Sequence, residues 1–135
     1  MRYTVLKLSI MIFLEGSIAL KLDNDLVRIM LLQVETDTDG HTNYEIESYC
    51  EARFPEYETN TTTYHMKYLI DAEFVQAKNG AFRDITPAGR DFLNNVRNEG
   101  VWEDTKKAIK PLGSVALNIV SEIAASIIKK TLNLS

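Results

Sequence analysis

TNTTTYHMKYLIDAEFVQAKNGAFRDITPAGRDFL, residues 59–93, reads as helix, tight two-stranded ribbon, helix. Asn60 and the threonines after it supply side-chain oxygens for a helix start, which predicts a helix from about Thr61 to Ala72. Met66, Leu69 and Ile70 fall on its inner face at spacings of three and four, and Thr61, Tyr64, His65 and Tyr68 fall outward. Phe74–Lys78 and Ala81–Ile85 are two short strand-like runs around Asn79-Gly80. Asn-Gly accepts positive φ at both central turn positions, so a tight hairpin is expected. Thr86-Pro87 then pairs an N-cap with a proline at the first helical position, where a missing N–H costs nothing.

Upstream, Asp23 or Asn24 caps a helix carrying Leu26, Ile29, Met30, Leu32 and Val34. TDTDGHT interrupts it. Asn43 to Phe54 reads as a second helix with Tyr44, Ile46, Tyr49 and Cys50 inward, stopped by Pro55. Three helices followed by a β-hairpin is a mainly α, α+β plan: a winged helix-turn-helix with a two-stranded wing. Downstream, Pro87 to about Ala108 reads as a long fourth helix weakened at Gly100, and Ser114 to Leu132 as a last one. The expected division is an N-terminal extension (1–21), a winged-helix domain (22–110) and a C-terminal helix (111–135). That last helix is apolar beyond a single stripe. Leu117, Val120, Ile123, Ala124 and Ile127 are therefore the candidate surface for a homodimer, with packing on the chain's own domain as the alternative.

A chain of 135 residues with 45% hydrophobic content suits one domain. The single cysteine excludes an internal disulfide and fits a reducing, cytoplasmic setting; Cys50 reads as a small buried residue on a helix. Residues 1–21, MRYTVLKLSIMIFLEGSIALK, admit three readings. They resemble a signal peptide with a short apolar run followed directly by Glu15. They also alternate like a β-hairpin turning at Glu15-Gly16. Finally, Leu-Glu-Gly can be encoded over a ribosome-binding sequence, which would place the native start near Leu20. No run approaches the length of a bilayer span.

LDNDLVRIMLLQVE, TYHMKYLIDAEFVQA, ITPAGRDFLNNVRNEGVWEDTKK and GSVALNIVSEIAASIIKK together resemble a family of uncharacterised phage and prophage proteins, the domain of unknown function family 2513. The similarity covers residues 20–135, with Thr86–Leu93 and Val101–Trp102 its most specific parts. It implies a winged-helix fold and no known activity. Family members tend to have Ala-Gly where this chain has Ala72-Glu73. Glycine accepts a left-handed helix end freely, and glutamate there costs about 1 kcal/mol.

Charge bears on function. Residues 22–75 hold three basic side chains, Arg28, Arg53 and Lys67, against twelve acidic ones, a net −9, whereas residues 76–135 carry a net +3. Phosphate binding depends on cations, so an acidic helix-turn-helix is a poor generic DNA binder. A local contact face is nonetheless available in Thr61, Tyr64, His65, Lys67 and Tyr68 of the third helix with Lys78, Asn79 and Arg83 of the wing. His65 reads as a packed or capping histidine more readily than as a ligand or base, since His41 is the only other histidine.

Glu35-x-Asp37-x-Asp39-Gly40 imitates a calcium loop, but its twelfth position falls on Ile46. There is no Gly-rich phosphate loop, no Cys/His cluster and no nucleophile with its base, so no catalytic residue, metal or cofactor is expected. Two functions remain. One is a phage or prophage regulator binding double-stranded DNA as a dimer. The other is an acidic module that binds a basic host protein, as a DNA mimic or anti-defence factor does. The fold favours the first and the charge the second; the first is the reading adopted.

Overall fold

In the computed structural model, which describes residues 22–132, the element at the centre is helix α1, Asn24–Asp37. Leu26, Val27, Met30, Leu31 and Val34 have no solvent-accessible surface, and the helix packs against the third and fourth helices and the last strand. Asp23 caps it by accepting the N–H groups of Asp25 and Leu26. Ile29, expected inside, is 41% exposed; Val27 and Leu31 take the inner positions instead.

After a turn the chain forms β1 (Tyr44–Glu45), α2 (Ile46–Arg53), α3 (Thr59–Asp71), β2 (Val75–Lys78) and β3 (Ala81–Ile85). Three further helices follow, α4 (Pro87–Val96), α5 (Glu99–Ile109) and α6 (Leu117–Thr131), with a 3₁₀ turn at Lys110–Leu112 before the last. The described residues are thus mainly helical with one small antiparallel sheet of order β1-β3-β2. Residues 1–21, and with them the signal-peptide, hairpin and late-start readings, lie outside the described residues.

The sheet has three strands, not two. Tyr44 pairs with Phe82 and Glu45 with Ala81, so the expected second helix loses its first turn to a strand. A strand of two residues has no period to read. It exists because the outer edge of β3 presents unpaired backbone groups, and Tyr44 stacks on Phe82 at 5.5 Å while covering that edge. Glu45 then caps α2, accepting the N–H groups of Glu47 and Ser48.

The hairpin forms as expected. Asn79 and Gly80 both have positive φ, 54° and 79°. Between Gln76 and Ala77 the register shifts: Gln76 faces Asp84 and Ala77 faces Phe82, leaving Arg83 as the extra residue of a bulge. Thr86 caps α4 through its hydroxyl, 3.0 Å from the Gly89 N–H, with Pro87 at the first helical position.

The long fourth helix is two helices, broken two residues before the expected glycine. Asn98 caps α5 by accepting the Val101 N–H, and Arg28 of α1 reaches across to the end of α4. Its guanidinium donates to the carbonyls of Val96 (2.7 Å) and Arg97 (2.8 Å), which a continuous helix would have used itself. Trp102 is buried in the separate α5, its indole N–H donating to Asp25. Three helices therefore follow the hairpin where two were expected.

α6 packs on α4 and α5, and Leu117, Val120 and Ala124 join the same core cluster as the residues of α1. These three of the five candidate dimer residues are thus buried within the chain and are not available to a partner. Ile123 and Ile127 remain half-buried. The helix begins at Leu117, without a side-chain cap from Ser114.

Candidate nucleic-acid interface

α3 begins two residues earlier than expected, at Thr59, with Glu58 as an N-cap that makes no side-chain hydrogen bond. The Thr62 and Thr63 hydroxyls donate back to the Thr59 carbonyl, so they do not serve as caps. The buried face of α3 is Thr62, His65, Met66 and Leu69, a spacing of three, one and three. Ile70 is half-buried.

This corrects the outward placement of His65 and agrees with its reading as a packed or capping histidine. It is fully buried, its Nε2 accepting the Asp23 N–H at 2.8 Å and its Nδ1 lying 2.8 Å from the Thr61 carbonyl. That pattern requires Nδ1 to carry the proton and donate. The imidazole is a bracket between α3 and the start of α1, with neither nitrogen left for a ligand. A polar residue at a core position is hidden from a reading based on apolar spacing.

Of the other candidates, Tyr64 is 38% exposed and Lys67, Lys78 and Asn79 are exposed. Thr61 is half-buried, and so is Tyr68, which packs against the core. Arg83, at the bulge, is half-buried, and its buried Nε–H has no acceptor among the described residues. The candidate face therefore narrows to one row of α3 and the β2–β3 hairpin, with Arg83 half-buried at its bulge.

That row includes two residues that sequence reading did not select. Asn60, Tyr64, Lys67 and Asp71 are all exposed at helical spacing, and Thr63 stands beside them. The sequence offers Asn60 as a helix cap, but with the helix starting at Thr59 it falls on this row instead. The row lines one side of a cleft of about 330 Å³ with Thr59, Asn60, Thr63 and Lys67, while Gly80 of the hairpin turn and Glu45, Ile46 and Glu47 of the α2 start close the others. The cleft is where α3 and the hairpin come together.

Its electrostatics are mixed. The Ser48 hydroxyl and the Ser48 and Glu47 N–H groups hold the Glu45 carboxyl below the usual glutamate range, and Glu47 is exposed beside it. On the cationic side, Lys67, Lys78 and Arg83 make no ion pair among the described residues. Arg53, by contrast, is held by Asp37, Arg90 and Arg97 by Glu35, and Lys106 by Asp25 and Glu103. The Arg97 guanidinium holds the Glu35 carboxyl below its ordinary value against the effect of burial, with Arg90 adding to it.

The calcium-like turn is self-contained. Asp39 accepts the Thr42 and His41 N–H groups and the Thr42 hydroxyl, which hold its carboxyl at about 2. Burial raises the Cys50 thiol, in keeping with a packed cysteine. No helix among the described residues is long and apolar enough to cross a membrane.

Comparison with known proteins adds a family and no activity. An uncharacterised protein of Haemophilus influenzae (strain ATCC 51907 / DSM 11121 / KW20 / Rd) is 26% identical over 117 residues, covering 80% of this chain and 95% of that one. No solved structure matches. The model of the hypothetical-protein family DUF2513 matches residues 21–116, from just before α1 to just before α6. Over that span, most of its length, the chain belongs to the DUF2513 family.

Proposed function

We propose that α1 to β3 form a winged helix-turn-helix and that the protein is a non-catalytic regulator binding double-stranded DNA. In this reading α3 enters the major groove and the β2–β3 hairpin lies along the backbone. The element order helix, strand, helix, helix, hairpin supports it, as does the sheet order β1-β3-β2. The observation that carries it is the placement of the cations: among the described residues Lys67 on α3 and Lys78 and Arg83 on the hairpin make no ion pair, and they stand on adjoining elements, whereas the other unpaired cations, Lys107, Lys110, Lys129 and Lys130, lie toward the C-terminal end of the chain. Cations without protein partners on the two elements that would approach a duplex are what phosphate contacts require. Asn60 and Tyr64 on the exposed row supply groups able to meet base edges. The resemblance to phage and prophage proteins suggests such a genome as the setting.

Fluorescence anisotropy at low salt, with random duplex and duplexes from the gene's own neighbourhood, tests this. Tighter binding to a neighbourhood fragment than to random sequence is expected. The triple variant Lys67→Ala, Lys78→Ala, Arg83→Ala should lose that binding, and unchanged affinity in it would remove the proposed face.

A second reading has its own observation. At the start of α2, where a helix-turn-helix could offer free N–H groups to a phosphate, the Glu45 carboxylate already occupies them, with Glu47 beside it. The net −9 of residues 22–75 points the same way. Such a surface suits a basic host protein. No binding to any duplex at low salt, together with a salt-sensitive complex with a basic protein, would establish this reading in place of the first.

A further inference from the structure

The outer face of α6 remains after Leu117, Val120 and Ala124 have packed inward. Ile119 is 37% exposed, Ile123 and Ile127 are half-buried, and Ser126 and Lys130 are exposed. At 100° per residue, Ile119, Ile123, Ser126 and Lys130 form one stripe, with Ile127 at its edge toward α5.

Glu122 and Lys129 are both exposed, and seven residues separate them. Two turns of helix bring such a pair to nearly the same side, so both border the stripe on one flank. We propose that this face binds a second copy of the chain, α6 against α6, antiparallel about a twofold axis near Ala125-Ser126.

The charges choose this occupant. A twofold axis sets each flank of the helix against the same flank of its mate, running the other way. Glu122 of one copy then stands opposite Lys129 of the other, and the pairing occurs twice. Ile123 faces Ile127 across the axis, and the small Ser126 beside it allows the helices to approach closely. The two helix dipoles run in opposite directions, which favours the arrangement further. A parallel pair would set this flank against the opposite flank of the mate, leaving Glu122 and Lys129 of the two copies on opposite sides of the interface and losing both pairings. The surface differs from the one suggested by sequence, since Leu117, Val120 and Ala124 face the chain's own core. The proposal does not rest on DNA binding.

Sedimentation equilibrium of the full chain tests it. Wild type is expected to be a dimer that dissociates on dilution, and Ile119→Glu, at a position exposed in the fold, a monomer with an unchanged circular dichroism spectrum. Glu122→Lys should weaken the dimer by ~10-fold, since like charges then meet twice across the axis. Adding Lys129→Glu to that variant should restore it. A monomeric wild type would overturn the proposal, whether the face is bare, covered by residues 1–21 or held for another protein. A dimer indifferent to Ile119→Glu, or a charge reversal that Lys129→Glu does not rescue, would overturn it as well.

Discussion

Glu73 is the residue at which the chain holds an unfavourable backbone geometry. Its φ is 65°, and the helix end around it is complete: Phe74 N–H donates to Leu69 O and Glu73 N–H to Ile70 O, both at 2.9 Å. The Glu73 carbonyl also accepts the Thr86 hydroxyl at 2.6 Å, and Thr86 N–H donates to Phe74 O, so the turn is pinned to the cap of α4. A left-handed conformation costs a non-glycine residue about 1–2 kcal/mol and persists because its surroundings over-determine it. Glu73→Gly should therefore raise unfolding stability by about 0.5–1 kcal/mol, net of the entropy glycine loses. Urea denaturation reads this directly, and a loss of stability would show that the glutamate side chain has a contact of its own. The expected cost was legible from the Ala72-Glu73 departure alone. A packed or capping role for His65 was legible too, but its partner was not, because Asp23 lies 42 residues away.

Among the elements, α4 shows why its opening turn is so specific. Gly89 does not need glycine for its φ; it needs it for space. A Cβ there would lie 2.3 Å from the Phe74 carbonyl oxygen and 2.9 Å from Ile85 Cγ1. Helix propensity alone makes Gly→Ala favourable by about 1 kcal/mol. The clash is with backbone, so Gly89→Ala should instead destabilise by about 1–3 kcal/mol, and the sign of the change in the urea midpoint decides between the two.

α1 and α4 are joined at the surface by Glu35, which sits 2.8 Å from Arg90 and 2.9 Å from Arg97. Its carboxyl is lowered from the ordinary 4.5, so the charged form is favoured by folding. That contribution is fully present above 4.5 and is lost as pH falls through the lower folded value. Wild type should thus exceed Glu35→Gln in stability at neutral pH, and the difference should shrink on acidification below 4.5. A difference independent of pH would mean the carboxylate charge is not what joins the helices.

For the molecule as a whole, the distribution of charge sets the terms of any DNA complex. In the proposed DNA complex, with the start of α2 held by Glu45, positioning on phosphate would fall to Lys67, Lys78 and Arg83. Each cation placed on a phosphate contributes about 0.9 to the slope of log affinity against log salt. Binding should therefore weaken with a shallow slope, and the triple alanine variant should lower it by roughly 2–3 in whatever binding it retains. An unaltered slope would place the contacts elsewhere.

The sequence by itself determined the features that depend on a few neighbouring residues. The Asn79-Gly80 turn, the Thr86-Pro87 helix start, the Asp23 cap and the burial of Cys50 all follow from local chemistry, and all are present. Only the tertiary structure decided β1, whose two residues form a strand because the edge of β3, 37 residues on, requires a partner. It also decided the break between α4 and α5, where Arg28 supplies donors from another helix, and the inward turn of His65. In each of these a backbone or imidazole group is satisfied by a residue distant in the chain. A local reading cannot see that partner, although the folded state cannot leave the group without one.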